Sequence, residues 1–308
     1  YIVDVLKSQT DNIAKEDAYT LALFAQDEIK LLRNLQALIG VRYIYHENFK
    51  NHATPNVALM YKPGKFNFRA SYAAGFRTPT LSELYATDIA KKNDRLTIGN
   101  LDLKPEKNNY FSLSAEYVHE RFSVSVNAFY NNIRDMIDYN TIATGDKAME
   151  QYGHKEVRQR DNIAEAKVHG INVSANAYLG AGFNLSGGYT HLNTQDVELE
   201  QPIDKSIKNA YNINAQWAHS WKIYRLNINL NGRFNSKRFS KSYGYAPEYQ
   251  LWDLNTRHSF NLKSVIIEPG CGMENLFDYM DDRPYNSNYA TLTPGRSFYI
   301  SLSLKFKS

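Results

Sequence analysis

The chain has 308 residues, with 36 basic and 32 acidic side chains and one cysteine. The charges are spread along the chain, which argues against a nucleic-acid surface, and the lone Cys271 excludes a disulfide framework and a thiol pair for zinc. No run of about 18 apolar residues occurs, which excludes a transmembrane helix. The 23 Tyr and 15 Phe are nevertheless unusually many for a soluble domain.

Apolar and polar residues alternate along many segments, which is typical of strands because successive side chains point to opposite faces. Clear examples run from Phe66 to Tyr72 and from Ser297 to Phe306. Such runs predict thirteen strands, with Tyr1 to Leu6 as a candidate fourteenth. In chain order the predicted strands are 18–31, 35–48, 55–62, 66–77, 109–119, 122–139, 156–179, 183–195, 207–219, 224–238, 248–260, 264–279 and 297–306.

Short and long connections alternate strictly between these strands, which sorts the loops onto two sides. Short periplasmic turns and longer external loops are typical of bacterial outer-membrane barrels. A soluble two-sheet sandwich is the competing fold, but several predicted strands exceed the usual length of about five or six residues. We therefore predict an all-β chain forming a transmembrane antiparallel β-barrel. The predicted long loops are 78–108, 140–155, 196–206, 239–247 and 280–296.

Three segments resemble motifs of the TonB-dependent receptors of the outer membrane. The first segment looks like a Phe-Arg-Ala-Pro box followed by an Asn-Pro-(Asn/Asp)-Leu-x-Pro-Glu box, with Leu101 in place of the first proline of the second box. The second, 129–137, resembles a strand signature of the family, although Asn172 departs from the acid expected downstream. The residues that match the two boxes are Phe76, Arg77, Pro79, Asn100, Leu103, Pro105 and Glu106.

The third segment lies near the C-terminus and ends in the alternating last strand. Family barrels commonly end on an aromatic residue, whereas Lys307 and Ser308 follow the last aromatic residue here. The glycines and prolines of all three segments suit loop geometry, so we interpret the motifs as structural rather than ligand-binding. The C-terminal motif residues are Asn275, Leu276, Phe277, Asp278, Gly295, Arg296 and Phe306.

The resemblance implies an active transporter. Family members have a soluble plug domain followed by a barrel of about 22 strands. We therefore expect residues 1–308 to be the C-terminal part of such a barrel, with the plug and early strands absent. The chain opens at Tyr1 without Met or a signal peptide, which also suggests a fragment or a processed product. The TonB energy-coupling complex would act through the missing plug region.

The long loops carry aromatic and basic side chains that suit an anionic, ring-bearing ligand. An interfacial aromatic girdle is the alternative interpretation. The resemblance favours a siderophore or other iron chelate, then cobalamin, then haem, because no His lies between Pro79 and Asn100, where haem receptors carry one. Oligosaccharide or peptide import stays open. The candidate ligand-binding residues are Tyr85, Tyr152, His154, Arg238, Lys241, Tyr243 and Tyr245.

Motifs for catalysis are missing from the sequence. It has no Gly-x-Ser-x-Gly, no phosphate-cradling glycine loop and no zincin signature, and its eight His form no metal pair. We therefore predict a transporter without enzymatic activity, cofactor or metal site. A passive, porin-like or structural outer-membrane barrel is the alternative function. The expected partners are outer-membrane lipid, a small nutrient ligand, the TonB complex and a surface lipoprotein, but no nucleic acid.

Overall fold

The computed structural model describes residues 2–8, 13–162, 165–240, 244–281 and 293–307, with side chains described from residue 16 onward. It consists almost entirely of strands, with two short helices. The elements are β1 Ile2–Ser8, β2 Ile13–Leu32, β3 Leu35–His46, β4 Lys50–Tyr61, β5 Phe66–Arg77, α1 Leu81–Tyr85, β6 Thr87–Ala90, β7 Arg95–Ile98, β8 Glu106–Val118, β9 Phe122–Arg134, β10 Ile137–Thr144, α2 Gly145–Tyr152, β11 Glu156–Asn162, β12 Ala166–Gly180, β13 Phe183–Asp196, β14 Asn209–Trp221, β15 Tyr224–Asn235, β16 Arg238–Ser240, β17 Gly244–Ala246, β18 Tyr249–Asn261, β19 Val265–Glu274 and β20 Ser297–Phe306.

One 14-stranded antiparallel sheet, here called the wall, dominates the fold. Its order is β1-β2-β3-β4-β5-β8-β9-β12-β13-β14-β15-β18-β19-β20. The all-β antiparallel prediction is confirmed, including the candidate fourteenth strand at the N-terminus, which pairs with β2. Within the described residues β1 and β20 are the two edges of the wall. Neither described helix is long and apolar enough to cross a membrane.

The two faces of the wall differ in polarity, as the alternation predicts. On β20 the residues Phe298, Ile300 and Phe306 point to one face, where Ile300 is 88% exposed. On the opposite face, β14 and β15 carry amides, and Asn214 donates to the side-chain oxygen of Asn229 at 2.6 Å. An exposed apolar face opposite a polar face is the arrangement of a wall between lipid and a polar lumen.

Short turns lie at one end of the wall and long connections at the other, as predicted. The turn between β12 and β13 is Gly180-Ala181-Gly182, and all three residues have positive φ, at 90°, 48° and 86°. Gly182 is also packed closely, because a Cβ there would come within 1.9 Å of the backbone oxygen of Ala218. Glycine is therefore required for both conformation and space at this turn.

The predicted strand 122–139 is wrong as one element. β9 ends at Arg134, Asp135 adopts a left-handed φ of 56°, and β10 starts at Ile137 in a different sheet. The predicted strand 156–179 is also two elements, because β11 pairs with β10 and β7 whereas β12 pairs with β9 and β13. The period of two is the same in both sheets, so periodicity cannot locate the change of partner.

The predicted loop bounds also need correction. The segment 78–108 contains α1, β6, β7 and the start of β8, and the segment 140–155 contains most of β10 and all of α2. The segment 239–247 contains parts of the β16–β17 hairpin. Three strand ends differ from the prediction by five residues, because β2 starts at Ile13, β4 starts at Lys50 and β19 ends at Glu274. Two more differ by three residues, because β8 starts at Glu106 and β15 ends at Asn235. Most of the predicted loop 280–296 lies outside the described residues.

Candidate ligand-binding site

Two long loops fold together above the wall. The loop between β5 and β8 supplies β6 and β7, and the loop between β9 and β12 supplies β10 and β11. These four strands form a sheet of order β10-β11-β7-β6, here called the loop sheet. The only parallel pair in it joins β11 to β7, with Val157 opposite Leu96. Because β11 and β7 come from different loops, this pairing makes one folded unit of the two.

One face of the loop sheet is buried beneath α2. Leu96, Ala148 and Val157 form its core, and Ala148 and Val157 are both 0% exposed. Tyr152, at the end of α2, packs against this core with Ile98. These apolar contacts hold α2 against one face of the sheet, so the opposite face is not covered by this helix.

The opposite face of the loop sheet carries three arginines. Side chains alternate along a strand, so Arg158 and Arg160 point away from the face that carries the buried Val157. Arg95 stands beside Glu156 in the parallel register, and Tyr139 stands opposite Arg160. The group is here called the arginine face, and it consists of Arg95, Tyr139, Glu156, Arg158 and Arg160.

The three arginines of this face use only some of their N–H groups in contacts with one another and with their neighbours. The guanidinium carbon of Arg160 lies 3.7 Å from the centroid of the Tyr139 ring, and its Nη2 donates to the Tyr139 hydroxyl at 2.6 Å. Arg158 Nε donates to Glu156 Oε1 at 2.5 Å. Arg95 Nε is buried and has no hydrogen-bond partner among the described residues. Each guanidinium has five donors in a planar fork that matches carboxylate and other paired oxygens.

An ion-pair cluster joins this unit to the wall. Arg77, the last residue of β5, donates from Nε and Nη2 to the two carboxylate oxygens of Glu106 on β8, at 2.7 and 2.5 Å. Its Nη1 donates to Glu83 of α1 at 2.9 Å. Glu106 also accepts from the backbone N–H of Ile137 at 2.8 Å. The cluster thus contacts α1, both wall strands and the start of β10.

The first helix is held by its own cap. Thr80 accepts from the backbone N–H of Glu83 at 3.2 Å, and the Glu83 carboxylate accepts from the backbone N–H of Thr80 at 2.9 Å, which completes a capping box. Burial raises the pKa of the Glu83 carboxyl, but hydrogen bonds from Arg77 and Thr80 outweigh burial and hold the pKa below its usual value of 4.5. The carboxylate form therefore stabilises the loop.

Asn162 fastens the bases of the two loops to each other. Its side-chain oxygen accepts from the backbone N–H of Lys104 at 2.7 Å, and its Nδ2 donates to the backbone oxygen of Asp135 at 2.6 Å. Lys104 belongs to the first loop, and Asp135 and Asn162 belong to the second. A single amide therefore satisfies backbone groups of both loops where they leave the wall.

The predicted ligand-binding residues of these two loops lie in the same unit, but none of them belongs to the arginine face. Tyr85 packs against the buried cluster of Leu84, Leu103 and Ile137, and Tyr152 packs on the α2 side. His154 Nδ1 lies 2.9 Å from Asp94 Oδ1, and this hydrogen bond holds the pKa of the Asp94 carboxyl below its usual range.

The remaining predicted residues belong to one further loop, between β15 and β18. Arg238 and Tyr245 belong to the hairpin β16–β17, whose Phe239 N–H donates to the backbone oxygen of Ser206 at 3.0 Å. Arg238 Nη2 is buried without a hydrogen-bond partner among the described residues, and Tyr245 is exposed. The predicted residues Lys241 and Tyr243 lie outside the described residues. The structure therefore separates the predicted residues into two groups.

The residues of the two boxes have structural contacts. Phe76 stacks on His52 with a centroid distance of 3.7 Å, and Pro79 and Leu103 are buried. The Asn100 N–H donates to the backbone oxygen of Glu83 at 3.0 Å. Pro105 is half-buried and leads directly into Glu106.

The C-terminal motif forms a compact turn after β19. Asn275 is 4% exposed, and its Nδ2 donates to the backbone oxygens of Tyr279 and Pro294 at 2.8 and 3.1 Å. Asp278 accepts from the backbone N–H of Arg296 at 2.7 Å, beside Gly295. The Leu276 N–H donates to Trp252, whereas Phe277 and Phe306 are exposed apolar side chains.

Sequence reasoning missed Arg95, Arg158 and Arg160. The spacing of Arg158 and Arg160 by two was visible in the sequence, and it predicts a shared face of one strand. The predicted continuous strand 156–179 places both arginines in the wall, whereas they lie on β11 of the loop sheet. Arg95 joins the other two only through the pairing of β11 with β7, which links positions far apart in the sequence.

Comparison with known proteins agrees with this architecture. Residues 2–276 match the family model described as TonB dependent receptor-like, beta-barrel. The chain belongs to the TonB-dependent receptor family, and its wall is part of an outer-membrane β-barrel.

Solved structures show the same fold. A mutant of the ferric enterobactin receptor PfeA from Pseudomonas aeruginosa has a TM-score of 0.77 and 20% identity, with 96% of this chain and 46% of that chain covered. The siderophore receptor PirA from Pseudomonas aeruginosa has a TM-score of 0.73 and 17% identity, covering 97% and 51%. BauA, the ferric preacinetobactin receptor from Acinetobacter baumannii, has a TM-score of 0.68 and 17% identity, covering 94% and 43%. The chain thus spans about half the length of these receptors.

Proposed function

We propose that the protein containing this chain is an outer-membrane receptor that imports an anionic iron chelate, a siderophore, with energy supplied through TonB. The arginine face is the observation that carries the proposal. Three guanidinium groups share one side of the loop sheet with two carboxylates, Glu156 and Asp88, so this surface keeps a net positive charge that attracts anions. The similar structures named for ferric enterobactin and preacinetobactin support the iron-chelate class.

The arginine face suits such a ligand chemically. Siderophore complexes present oxygen pairs and often aromatic rings, which guanidinium forks bind through paired hydrogen bonds and stacking. The stacked Arg160–Tyr139 pair is already arranged for the second kind of contact. Cobalamin and then haem are the less favoured candidate ligands, because neither needs three neighbouring cations.

Import requires more chain than the wall supplies. We propose that a plug domain and further strands on the same native polypeptide, or on a cleaved partner chain, complete the barrel, and that TonB acts on the plug from the periplasm. The coverage of about half of each similar receptor supports this proposal. A surface lipoprotein as a further partner stays a prediction.

The test is ligand binding and uptake by the full receptor, comparing Arg158→Gln with Arg160→Gln and their combination. Because each loses a charge-assisted contact, the dissociation constant for a negatively charged ferric siderophore should rise about tenfold per substitution. Lys222→Gln is the matched control, since it removes one cation from a short turn at the opposite end of the wall. Unchanged binding in the double variant would refute the role of the arginine face.

A passive pore is the second candidate, and the amide-lined inner face of the wall favours it. Asn214 contacts Asn229 and Asn231, and such neutral groups also line water-filled channels. Uptake in cells treated with a protonophore distinguishes the two functions. Energy-coupled import stops when the proton gradient is removed, whereas diffusion through a pore continues.

A further inference from the structure

The outward side chains of β8 and β9 change from apolar to polar at the same level. On β9 the outward series runs from Phe122 to Tyr130, a rise of about 27 Å along the strand. Barrel strands are tilted by about 35–45°, so this length corresponds to about 20 Å of height, and the apolar band is about 25 Å tall. Tyr130 therefore lies just inside the external border of the band, and Arg134, four residues further along β9, lies beyond it. Phe111, its partner on β8, lies at the same level. The next outward positions therefore lie among lipid headgroups.

Cations are concentrated at this headgroup level. Lys107 on β8 stands directly opposite Arg134 on β9, and both are exposed on the face that carries Phe111 and Tyr130. Lys167 on β12 stands opposite Asn132, diagonal to Arg134. The group is here called the cationic rim, and it consists of Lys107, Arg134 and Lys167.

The cationic rim is poorly compensated within the protein. Like charges directly opposite on adjacent strands are destabilising. Neither Lys107 nor Arg134 makes an ion pair or a side-chain hydrogen bond with any described residue, and Lys167 has only Glu165, at 3.8 Å. An anion bound from outside the chain would reduce the repulsion between these cations.

An apolar groove lies directly below the cationic rim on the same face. Ala70 and Ala128 form its two low points, one on each side of Leu113, and Leu59 borders Ala70 on the far side. Phe111 and Tyr130 line its upper part, next to the rim. Its volume of about 590 Å³ is in the range of ligand-sized pockets. A cationic site above an apolar groove matches one molecule with a charged head and a hydrocarbon tail.

We propose that the cationic rim and this groove together bind one phosphorylated lipid of the outer leaflet. The phosphate contacts Lys107, Arg134 and Lys167, and acyl chains of the lipid lie over Ala70 and Ala128, one on each side of Leu113. Each cation near an anionic lipid surface strengthens binding several-fold. The site is distinct from the arginine face, since it lies on the outward side of the wall.

The test uses the full receptor and phosphatidic acid as the probe. Native mass spectrometry in detergent measures the affinity for phosphatidic acid and for phosphatidylcholine. The triple variant Lys107→Gln, Arg134→Gln, Lys167→Gln should weaken phosphatidic acid binding by at least about tenfold. The charge-matched control replaces Lys62, Lys65 and Lys222, which lie at the short-turn end, and should leave binding unchanged. The gel mobility of unheated samples checks that each barrel is folded, and Lys107→Gln alone serves as a milder variant.

A second arm separates a lipid from free phosphate. Ala128→Phe fills the groove and should weaken phosphatidic acid binding without altering the rim. Inorganic phosphate at matched concentration should not displace the lipid, because it gains nothing from the groove. Equal affinities in the wild type and the triple variant, an equal loss in the control variant, or full displacement by inorganic phosphate would overturn the proposal.

Discussion

Arg77 and Glu106 face each other across β5 and β8, and two parallel hydrogen bonds of 2.7 and 2.5 Å join the guanidinium to the carboxylate. Bidentate pairs of this kind are among the stronger side-chain contacts. Since Arg77 also contacts Glu83, one side chain links the top of the wall to the first helix of the loop unit. The two boxes in which these residues occur therefore act as an anchor for the loops.

Replacing Arg77 should loosen the loop unit while the wall stays folded. Arg77→Gln removes the pairs with Glu83 and Glu106 and should cost about 1–2 kcal/mol, because partial exposure of the guanidinium screens the interaction. Hydrogen exchange of residues 81–98 and 137–160 measures the effect. Arg121→Gln, at a short turn, is the control. Equal protection of both segments in Arg77→Gln and the wild type would contradict the anchoring role.

Acid should open the same loops. The pKa of Glu83 is depressed on folding, so its contribution to stability is present above the usual value of 4.5 and is lost as the pH falls through the lower folded value. Limited proteolysis should therefore show protected loops at pH values above 4.5 and increasing cleavage as the pH falls below that value. In Glu83→Gln the loops should be less protected at neutral pH, and this part of the acid dependence should disappear. An identical acid profile in both proteins would exclude Glu83 as the titrating group.

Removing the two buried methyl groups of Val157 should destabilise the core of the loop sheet. Val157→Ala leaves a cavity between β11, β7 and α2 and should cost about 1–3 kcal/mol in the loop unit. The arginine face is carried by the same strands, so siderophore affinity should fall without loss of any arginine. Val126→Ala, on the outward face of β9, is the matched control. Retained affinity together with a loosened loop sheet would show that the site does not need this core.

Gly99 should not tolerate alanine. A Cβ there would come within 2.5 Å of the backbone oxygen of Leu84, so α1 would have to move, at a cost of about 1–3 kcal/mol. Gly40→Ala is a suitable comparison, because the nearest atom to its added Cβ is 3.6 Å away. The protease resistance of the loop segment 81–98 is the measurement. Resistance as high in Gly99→Ala as in Gly40→Ala would show that α1 accommodates the added carbon.

The wall could be predicted from the sequence because its signals are local. Alternation fixes which residues face lipid, and a turn such as Gly180-Ala181-Gly182 marks where the chain reverses. The prediction of one strand over 122–139 is wrong for a different reason. Its two halves share the same period, and the change of sheet at Asp135 depends on long-range pairing that no local pattern records.

The candidate site was predicted only in part. Tyr152 and His154 belong to the loop unit, and the aromatic and basic character of their segment is visible in the sequence. The packing of Tyr152 on the core beneath α2 and the hydrogen bond between His154 and Asp94 depend on how the helix lies on the sheet. The arginine face needed the parallel register of β11 and β7, which places Arg95 beside Glu156 although they are far apart in the sequence.

The parallel pairing of β7 with β11 also limits how such a receptor can change its specificity. Recombination that exchanged one of the two loops alone would leave a bare strand edge and separate Leu96 from Val157. New specificities would then arise by joint inheritance of both loops, or by substitutions on the exposed face that leave the shared ladder intact. An engineer who grafts this site onto another barrel should transfer the two loops as a pair.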